Sequence, residues 1–167
     1  MKTSQCTDNN VNQRRVALFA GSFDPFTRGH EDIVLRALQL FDEVVVAIGV
    51  NPDKQGFLTV DQRRQWVDVC VGWRPGVRVV TFDGLAAQAA LDLGACCFVK
   101  GVRTMQDFEY EMQMAQANHD LCGLDTVLLY TAPQLAHISS SLVRQLHTLG
   151  QDVSTYLPGA APLRMLP

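Results

Sequence analysis

The sequence predicts a doubly wound α/β domain on a parallel sheet of about five strands. Two observations carry this. Short apolar runs alternate with helix-periodic segments from Arg15 almost to the end of the chain, and the runs are apolar on both faces, as strands are when helices cover both sides of a parallel sheet. The length of 167 residues suits one domain, and 47% apolar with 19% charged residues is an ordinary folded balance. The opening residues, 1–13, lack an apolar run and read as a flexible N-terminal extension. The domain is assigned to residues 14–167.

"RVALFA" is the first strand. A helix is expected from about Glu31 to Phe41, with Ile33, Val34, Ala37, Leu38 and Phe41 on one face. "EVVVAIGV" is the second strand, β-branched and buried, and "NPDKQGF" is a loop. Thr59 with Gln62 forms a capping-box pattern for a helix running to about Val71. "WRPG" turns the chain into the third strand, "VRVVTF". A short helix over Leu85–Leu93 stops at Gly94, and "CCFV" is the fourth strand, with Cys96 and Cys97 read as buried. A longer helix over about Gln106–Asp120 precedes the fifth strand, "TVLLY". Ser139–Ser141 open the last helix, and the Pro-rich tail supports little more than a single turn. Right-handed crossovers make this order a Rossmann-like sheet.

Ligands of such sheets bind beyond the carboxyl ends of the strands. That rule gathers the turns Gly21–His30, Asn51–Phe57, Lys100–Arg103 and Thr131–Ser141 onto one rim. The net charge of −3 argues against a nucleic-acid partner held by phosphate attraction, and no apolar run is long enough for a bilayer. The cysteines are odd in number and form no C-x-x-C pair, which argues against a zinc or disulfide framework and suits a reducing cytoplasm.

On the rim, "GSFDPFTRGH" has neither the G-x-G-x-x-G pattern nor the P-loop pattern. His30 falls in the first turn of a helix, where free N–H groups favour an anion; it reads either as a surface residue or as a neutral donor to a phosphate. Asp24 reads as a turn former before Pro25 and Thr27 as a helix cap, while Phe23 and Phe26 read as local core. Lys54 stands in a loop, solvated or facing a ligand. Lys100 and Arg103 bracket Gly101, a pattern that fits phosphate binding. The serines at 139–141 either cap the last helix or donate to a polyphosphate, and Arg144 reaches the same anion or solvent. Glu109 and Glu111 are either solvated or bound to a ligand's amine or ribose. Trp66 and Trp73 read as packing.

These segments resemble the phosphopantetheine adenylyltransferase family of nucleotidyltransferases. "GSFDPFTRGH" is similar to its G-[ST]-F-D-P-x-T-x-G-H signature, and "KGVRTMQDFEYEMQMAQAN" and "ISSSLVR" to two later segments, in the same order. The resemblance implies transfer of the adenylyl group of ATP to 4′-phosphopantetheine with Mg²⁺, giving dephospho-coenzyme A and pyrophosphate, the penultimate step of coenzyme A synthesis. It implies that His30 stabilises the transition state. Ser22, Phe23, His30, Gly101, Val102, Arg103, Glu111 and the stretch Leu135, Ala136, His137, Ile138, Ser139, Ser140 and Ser141 contact ATP. Ser22, Lys54, Ala86 and Lys100 contact the acceptor. No metal ligand is assigned to a protein side chain. The resemblance also implies a cytoplasmic homohexamer and feedback inhibition by coenzyme A. This chain departs from the family where Lys100 replaces a common arginine, Leu135 replaces a common aromatic residue and His119 follows Asn118.

Overall fold

The computed structural model describes residues 14–51 and 55–167; the proposed extension at 1–13 and the rim residue Lys54 lie outside the described residues. The strands form one parallel sheet in the order β3-β2-β1-β4-β5. They are β1 (Val16–Gly21), β2 (Glu43–Val50), β3 (Val77–Asp83), β4 (Cys97–Val102) and β5 (Thr126–Tyr130). Leu18 lies opposite both Val45 and Phe98, so β1 is the central strand. The chain builds outward from β1 to β3 and then returns to the other side for β4 and β5. The order reverses between β1 and β4, and the loops diverge there to open a crevice.

Apolar side chains on the two faces of the sheet make two core layers. Phe19, Val46 and Val99 pack with Ile33 and Val34 of α1 (Arg28–Ala37), Trp66 of α2 (Val60–Val67) and Val143 of α5 (Ser140–Thr148). Leu18, Val45 and Phe98 pack on the other face with Ala90 of α3 (Ala86–Asp92), next to Cys122 at the end of α4 (Met105–Cys122). Two-sided burial is the reason the strands read as continuous apolar runs.

Several local expectations shift. α1 begins at Arg28 instead of near Glu31 because the ring of His30 caps it: Nδ1 accepts from the Thr27 N–H at 3.0 Å. Thr27 is the N-cap residue and closes a capping box with His30, and its hydroxyl also lies 3.1 Å from the same ring nitrogen. At α2 the capping box is present, with Gln62 N donating to Thr59 Oγ1 at 3.2 Å and Thr59 N donating to Gln62 Oε1 at 2.9 Å. That helix widens into a π-helical turn over Asp68–Gly72. Cys97 is buried in β4, but Cys96 precedes the strand and is exposed. Trp66 is core, whereas Trp73 lies on the surface under the Arg74 guanidinium. The tail is more ordered than its composition suggests, with two 3-10 turns, Ser154–Tyr156 and Leu163–Met165, and with Val153 and Leu157 in the core.

The β1–α1 turn is held from outside itself. Ala20 O accepts from Lys100 Nζ at 3.1 Å, and Ser22 O from Arg63 Nη1 at 2.9 Å. Asp24 O accepts from Arg144 Nη1 at 2.6 Å, Pro25 O from Ser140 Oγ at 2.8 Å, and Phe26 O from Trp66 Nε1 at 3.1 Å. The Asp24 carboxylate accepts the Phe57 and Leu58 amides at 2.7 and 2.8 Å, tying in the loop after β2. Phe23 sits at φ 48, a left-handed conformation that costs a non-glycine residue about 1–3 kcal/mol and persists only where the surroundings over-determine it. Its ring folds back over Gly21, where a Cβ would lie 3.1 Å from it.

Trp66→Phe tests one of these ties. The ring is 0% exposed, so the substitution leaves Phe26 O buried without its donor. The expected loss is about 1–3 kcal/mol by urea unfolding; an unchanged midpoint would show that this tie contributes nothing.

Candidate active site

A cleft of about 360 Å³ opens at the switch point, between the β1–α1 turn, the end of β4, α4 and the start of α5. The first turns of α1 and α5 both border it through Gly29, His30, Ser140 and Ser141, and such turns carry N–H groups without intrahelical partners.

His30 is the best-determined group in the cleft. Its ring sits among Phe19, Phe23 and Phe26, with centroids 6.2, 5.2 and 5.4 Å away. A backbone N–H can only donate, so the bond from Thr27 N fixes Nδ1 as an acceptor and leaves the proton on Nε2. Burial pushes the imidazole pKa down to about 4, and the positive charges of Arg103 and then Lys100 add to the shift. The ring is therefore neutral at pH 7 and presents one N–H. Phe23, buried against the back of this ring, supports it.

The cations of the cleft are anchored. Lys100 Nζ donates to Ala20 O and stands 3.4 Å from Glu111 Oε2. That carboxylate oxygen is buried and has no hydrogen bond. Arg103 pairs in two-pronged fashion with Asp107, Nε to Oδ2 at 2.9 Å and Nη2 to Oδ1 at 3.2 Å, while Nη1 donates to Ile138 O at 2.9 Å. Ser139 caps α5, accepting from Leu142 N at 3.0 Å, and so turns the first amides of that helix toward the cleft.

The structure thus brings Ser22, Phe23, His30, Lys100, Gly101, Arg103, Glu111, Ile138 and Ser139–Ser141 to one cleft. Glu109, the other acidic candidate on α4, is exposed, while Glu111 turns inward. Other candidates stand apart. Val102 buries its side chain, and Leu135 packs inward. Ala136 follows Leu135 outside the cleft wall, and the His137 ring meets Tyr156 with centroids 6.0 Å apart. Ala86, the first residue of α3, packs on the opposite face of the sheet. Sequence reasoning gave no site role to Asp107 or Arg63, and placed Thr131 on the rim only as the start of a turn. Asp107 had a readable signal, an acid four residues after Arg103 at a helix start. Arg63 had one too, a cation in helical phase with the buried Trp66 and Val67.

The cytidylyltransferase-like family matches residues 18–146. Phosphopantetheine adenylyltransferase from Porphyromonas gingivalis is 47% identical over 146 residues, covering 87% of this chain and 95% of the relative. The proteins of that name from Cytophaga hutchinsonii and Bacteroides thetaiotaomicron are 46% and 39% identical; each alignment covers 86% of this chain, and 97% and 95% of the relatives. Among solved structures, a bifunctional NMN adenylyltransferase/ADP ribose pyrophosphatase of Francisella tularensis, complexed with AMP and a manganese ion, shares the fold, with a TM-score of 0.62 and 16% identity. That alignment takes in 87% of this chain and 44% of the other. Among the described residues no helix is long and apolar enough to cross a membrane.

The neutral His30 has a thermodynamic signature. The unfolded chain binds the proton near pH 6.5, while the folded one resists it until about 4. Stability from this group is complete above pH 6.5 and is lost as the pH falls toward 4, by an amount on the order of 2–3 kcal/mol. Urea unfolding of wild type and His30→Gln at pH 7 and pH 4.5 isolates it. The wild type is expected to lose more stability than the variant, and equal losses would refute the assignment.

Proposed function

The chain belongs to the phosphopantetheine adenylyltransferases within the cytidylyltransferase-like family, and from that membership we infer that it transfers the adenylyl group of ATP to 4′-phosphopantetheine, giving dephospho-coenzyme A and pyrophosphate. It is a nucleotidyltransferase enzyme acting in coenzyme A biosynthesis. The observation that carries the mechanism is the neutral imidazole of His30 in the same cleft as Lys100, Arg103 and the start of α5.

The attacking group is an anionic phosphate oxygen on the acceptor, so neither a protein nucleophile nor a general base is required. The oxygen forms a bond to the α-phosphorus of ATP, the bond to the bridging oxygen breaks, and pyrophosphate leaves with the electron pair. Catalysis then consists of aligning two anions and absorbing the shifting charge. We assign His30 Nε2–H to the α-phosphate, where a neutral donor follows the charge change without holding the product by a permanent charge. Lys100 and Ser22 hold the acceptor phosphate, together with Lys54, which lies outside the described residues. Arg103 and the first amides of α5 hold the nucleotide, with Gly101 allowing close approach at the end of β4. In the structure a Cβ at Gly101 would sit 2.8 Å from Ile33 Cγ1, so a larger residue there would displace the helix that carries His30.

Mg²⁺ would reduce repulsion between the phosphates. Among the described residues no cluster of three acidic, histidine or cysteine groups stands ready for a metal, and the carboxylates in the cleft, Asp107 and Glu111, are engaged with Arg103 and Lys100. Asp107 and Glu111 are the carboxylates of the cleft that could meet such an ion beside the phosphates, and it would supply charge neutralisation there.

Coenzyme A carries the same adenosine and pantetheine parts as the product, which supports inhibition by competition for this cleft. Self-association, of which the homohexamer is one form, is supported by α4, whose Tyr110, Met112, Met114 and Leu121 are exposed and whose one buried residue is Asn118. A cytoplasmic location is supported by the free cysteines Cys70, Cys96, Cys97 and Cys122.

The direct test is pyrophosphate release with ATP and 4′-phosphopantetheine, against nicotinamide mononucleotide as the competing acceptor. Turnover is expected with the former alone. His30→Ala should lower kcat by about 10²–10³-fold, as loss of a charge-stabilising donor does, with ATP affinity changed far less. Equal losses in both would assign His30 to binding.

A further inference from the structure

Ser22 also borders a second cavity of about 560 Å³, together with Asp24, Gly49, Phe57 and Arg63. Asp24 and Arg63 are ionisable groups of opposite sign, and each is only 8% exposed. Among the described residues neither forms a salt bridge. Each turns to backbone instead. Asp24 Oδ2 accepts from Phe57 N at 2.7 Å, and Oδ1 accepts from Leu58 N at 2.8 Å. Arg63 Nη1 donates to Ser22 O at 2.9 Å and to Gly49 O at 3.3 Å. The chain closes tightly over the carboxylate, since a Cβ at Gly56 would lie 2.7 Å from Leu58 O and 3.2 Å from Asp24 Oδ2. Groups of this kind are costly to bury, and apolar side chains of similar volume fill a core as well. What the pair adds is a link between the ends of β1 and β2.

We propose that Asp24 and Arg63 are positioning residues for the acceptor: they clasp both ends of the segment after β2 to the β1–α1 turn, before 4′-phosphopantetheine binds. The inference rests on the adenylyl-transfer reading, in which Ser22 and Lys54 meet the acceptor phosphate. Gly49 and Phe57 flank the stretch 50–56, to which Lys54 belongs. A segment fixed at both ends has less freedom to lose when a ligand arrives, so binding is not weakened by the need to order it. The groups assigned to ATP are anchored elsewhere. Arg103 is held by Asp107 and Ile138 O, His30 by Thr27 N, and the start of α5 by the Ser139 cap. The β1–α1 turn itself keeps its ties to Lys100, Trp66, Ser140 and Arg144. Release of the clasp therefore weakens one substrate and spares the other.

The test titrates ATP and, separately, 4′-phosphopantetheine into wild type, D24N, R63M and R63K by calorimetry, with a thermal melt and steady-state kinetics of each protein. Both oxygens of Asp24 face amide donors, so asparagine, of the same size, must set its NH₂ against one of them. Arg63 meets both carbonyls through one nitrogen, so a lysine ammonium can donate from a single point as well, whereas methionine cannot. D24N and R63M are expected to raise the Kd and KM for 4′-phosphopantetheine about tenfold, the scale when the ordered segment is populated about a tenth of the time. ATP affinity should stay within about twofold of wild type and kcat within about threefold, with R63K restoring acceptor affinity to within about threefold. Wild-type acceptor affinity in folded D24N or R63M would overturn the proposal. Equal weakening of ATP and acceptor would also overturn it, by making the pair a general brace, and R63K as weak as R63M would remove Arg63 from the clasp. If D24N does not fold, R63M against R63K decides, since they act from a different element. Turnover separates the two readings. A wild type that makes no dephospho-coenzyme A sinks the adenylyl-transfer reading, while acceptor-selective losses in its variants still uphold the clasp. An active enzyme whose variants bind the acceptor normally sinks the clasp alone, and a wild type that does not bind 4′-phosphopantetheine overturns both.

Discussion

The architecture of the site depends on one constraint: the carbonyls of the β1–α1 turn are hydrogen-bonded to side chains from other elements. Lys100 of β4, Arg63 and Trp66 of α2, and Ser140 and Arg144 of α5 each take one carbonyl between Ala20 and Phe26. A turn with a left-handed Phe23 would not keep this shape on local forces alone. With the carbonyls bound on the protein side, the positive end of α1 is left facing the crevice, and His30 stands in the first turn of that helix. Local strain and distant hydrogen bonds are thus one system, in which the strain sets the shape of the site and the bonds keep it from relaxing.

The same economy governs charge. A cationic cleft that must hold two anionic substrates is at risk of closing on its own carboxylates. Here the partners are arranged to orient the cations without enclosing them. Asp107 grips Arg103 on one edge of the fork, and Nη1 is tied to Ile138 O. Lys100 is held between a carbonyl and Glu111. His30 is the exception that makes the arrangement useful. The fields that attract phosphate also keep the imidazole neutral, because burial, Arg103 and Lys100 all oppose its protonation. The cleft thus sets cations beside a neutral N–H donor, and one set of residues produces both.

Much of this was readable in advance from particular residues. The rim segments were placed correctly because strand ends in a parallel sheet share one edge, and the apolar runs located those ends. Thr59 with Gln62 announced the start of α2 because a capping box is closed within four residues. The start of α1 was misplaced for a related reason: its cap is an imidazole, a residue type that capping patterns do not include. Cys96 was assigned to the interior by its neighbours' hydrophobicity, yet the strand begins one residue later, and burial changes with a single step along the chain.

What the sequence determined by itself was therefore whatever is local or periodic: the alternation of strand and helix, the edge on which the strand-end turns gather, and the candidates His30, Lys100 and Arg103, which line one cleft. Only the tertiary structure decided how those residues are held, since each bond to the turn spans dozens of positions along the chain and leaves no short-range pattern. Arg63 illustrates the difference. In the sequence it is one of two adjacent arginines on a helix; in the fold it is buried, bound to two strand-end carbonyls and set against a cavity. Its role comes from the surroundings that remove it from water, and those come from residues far away along the chain.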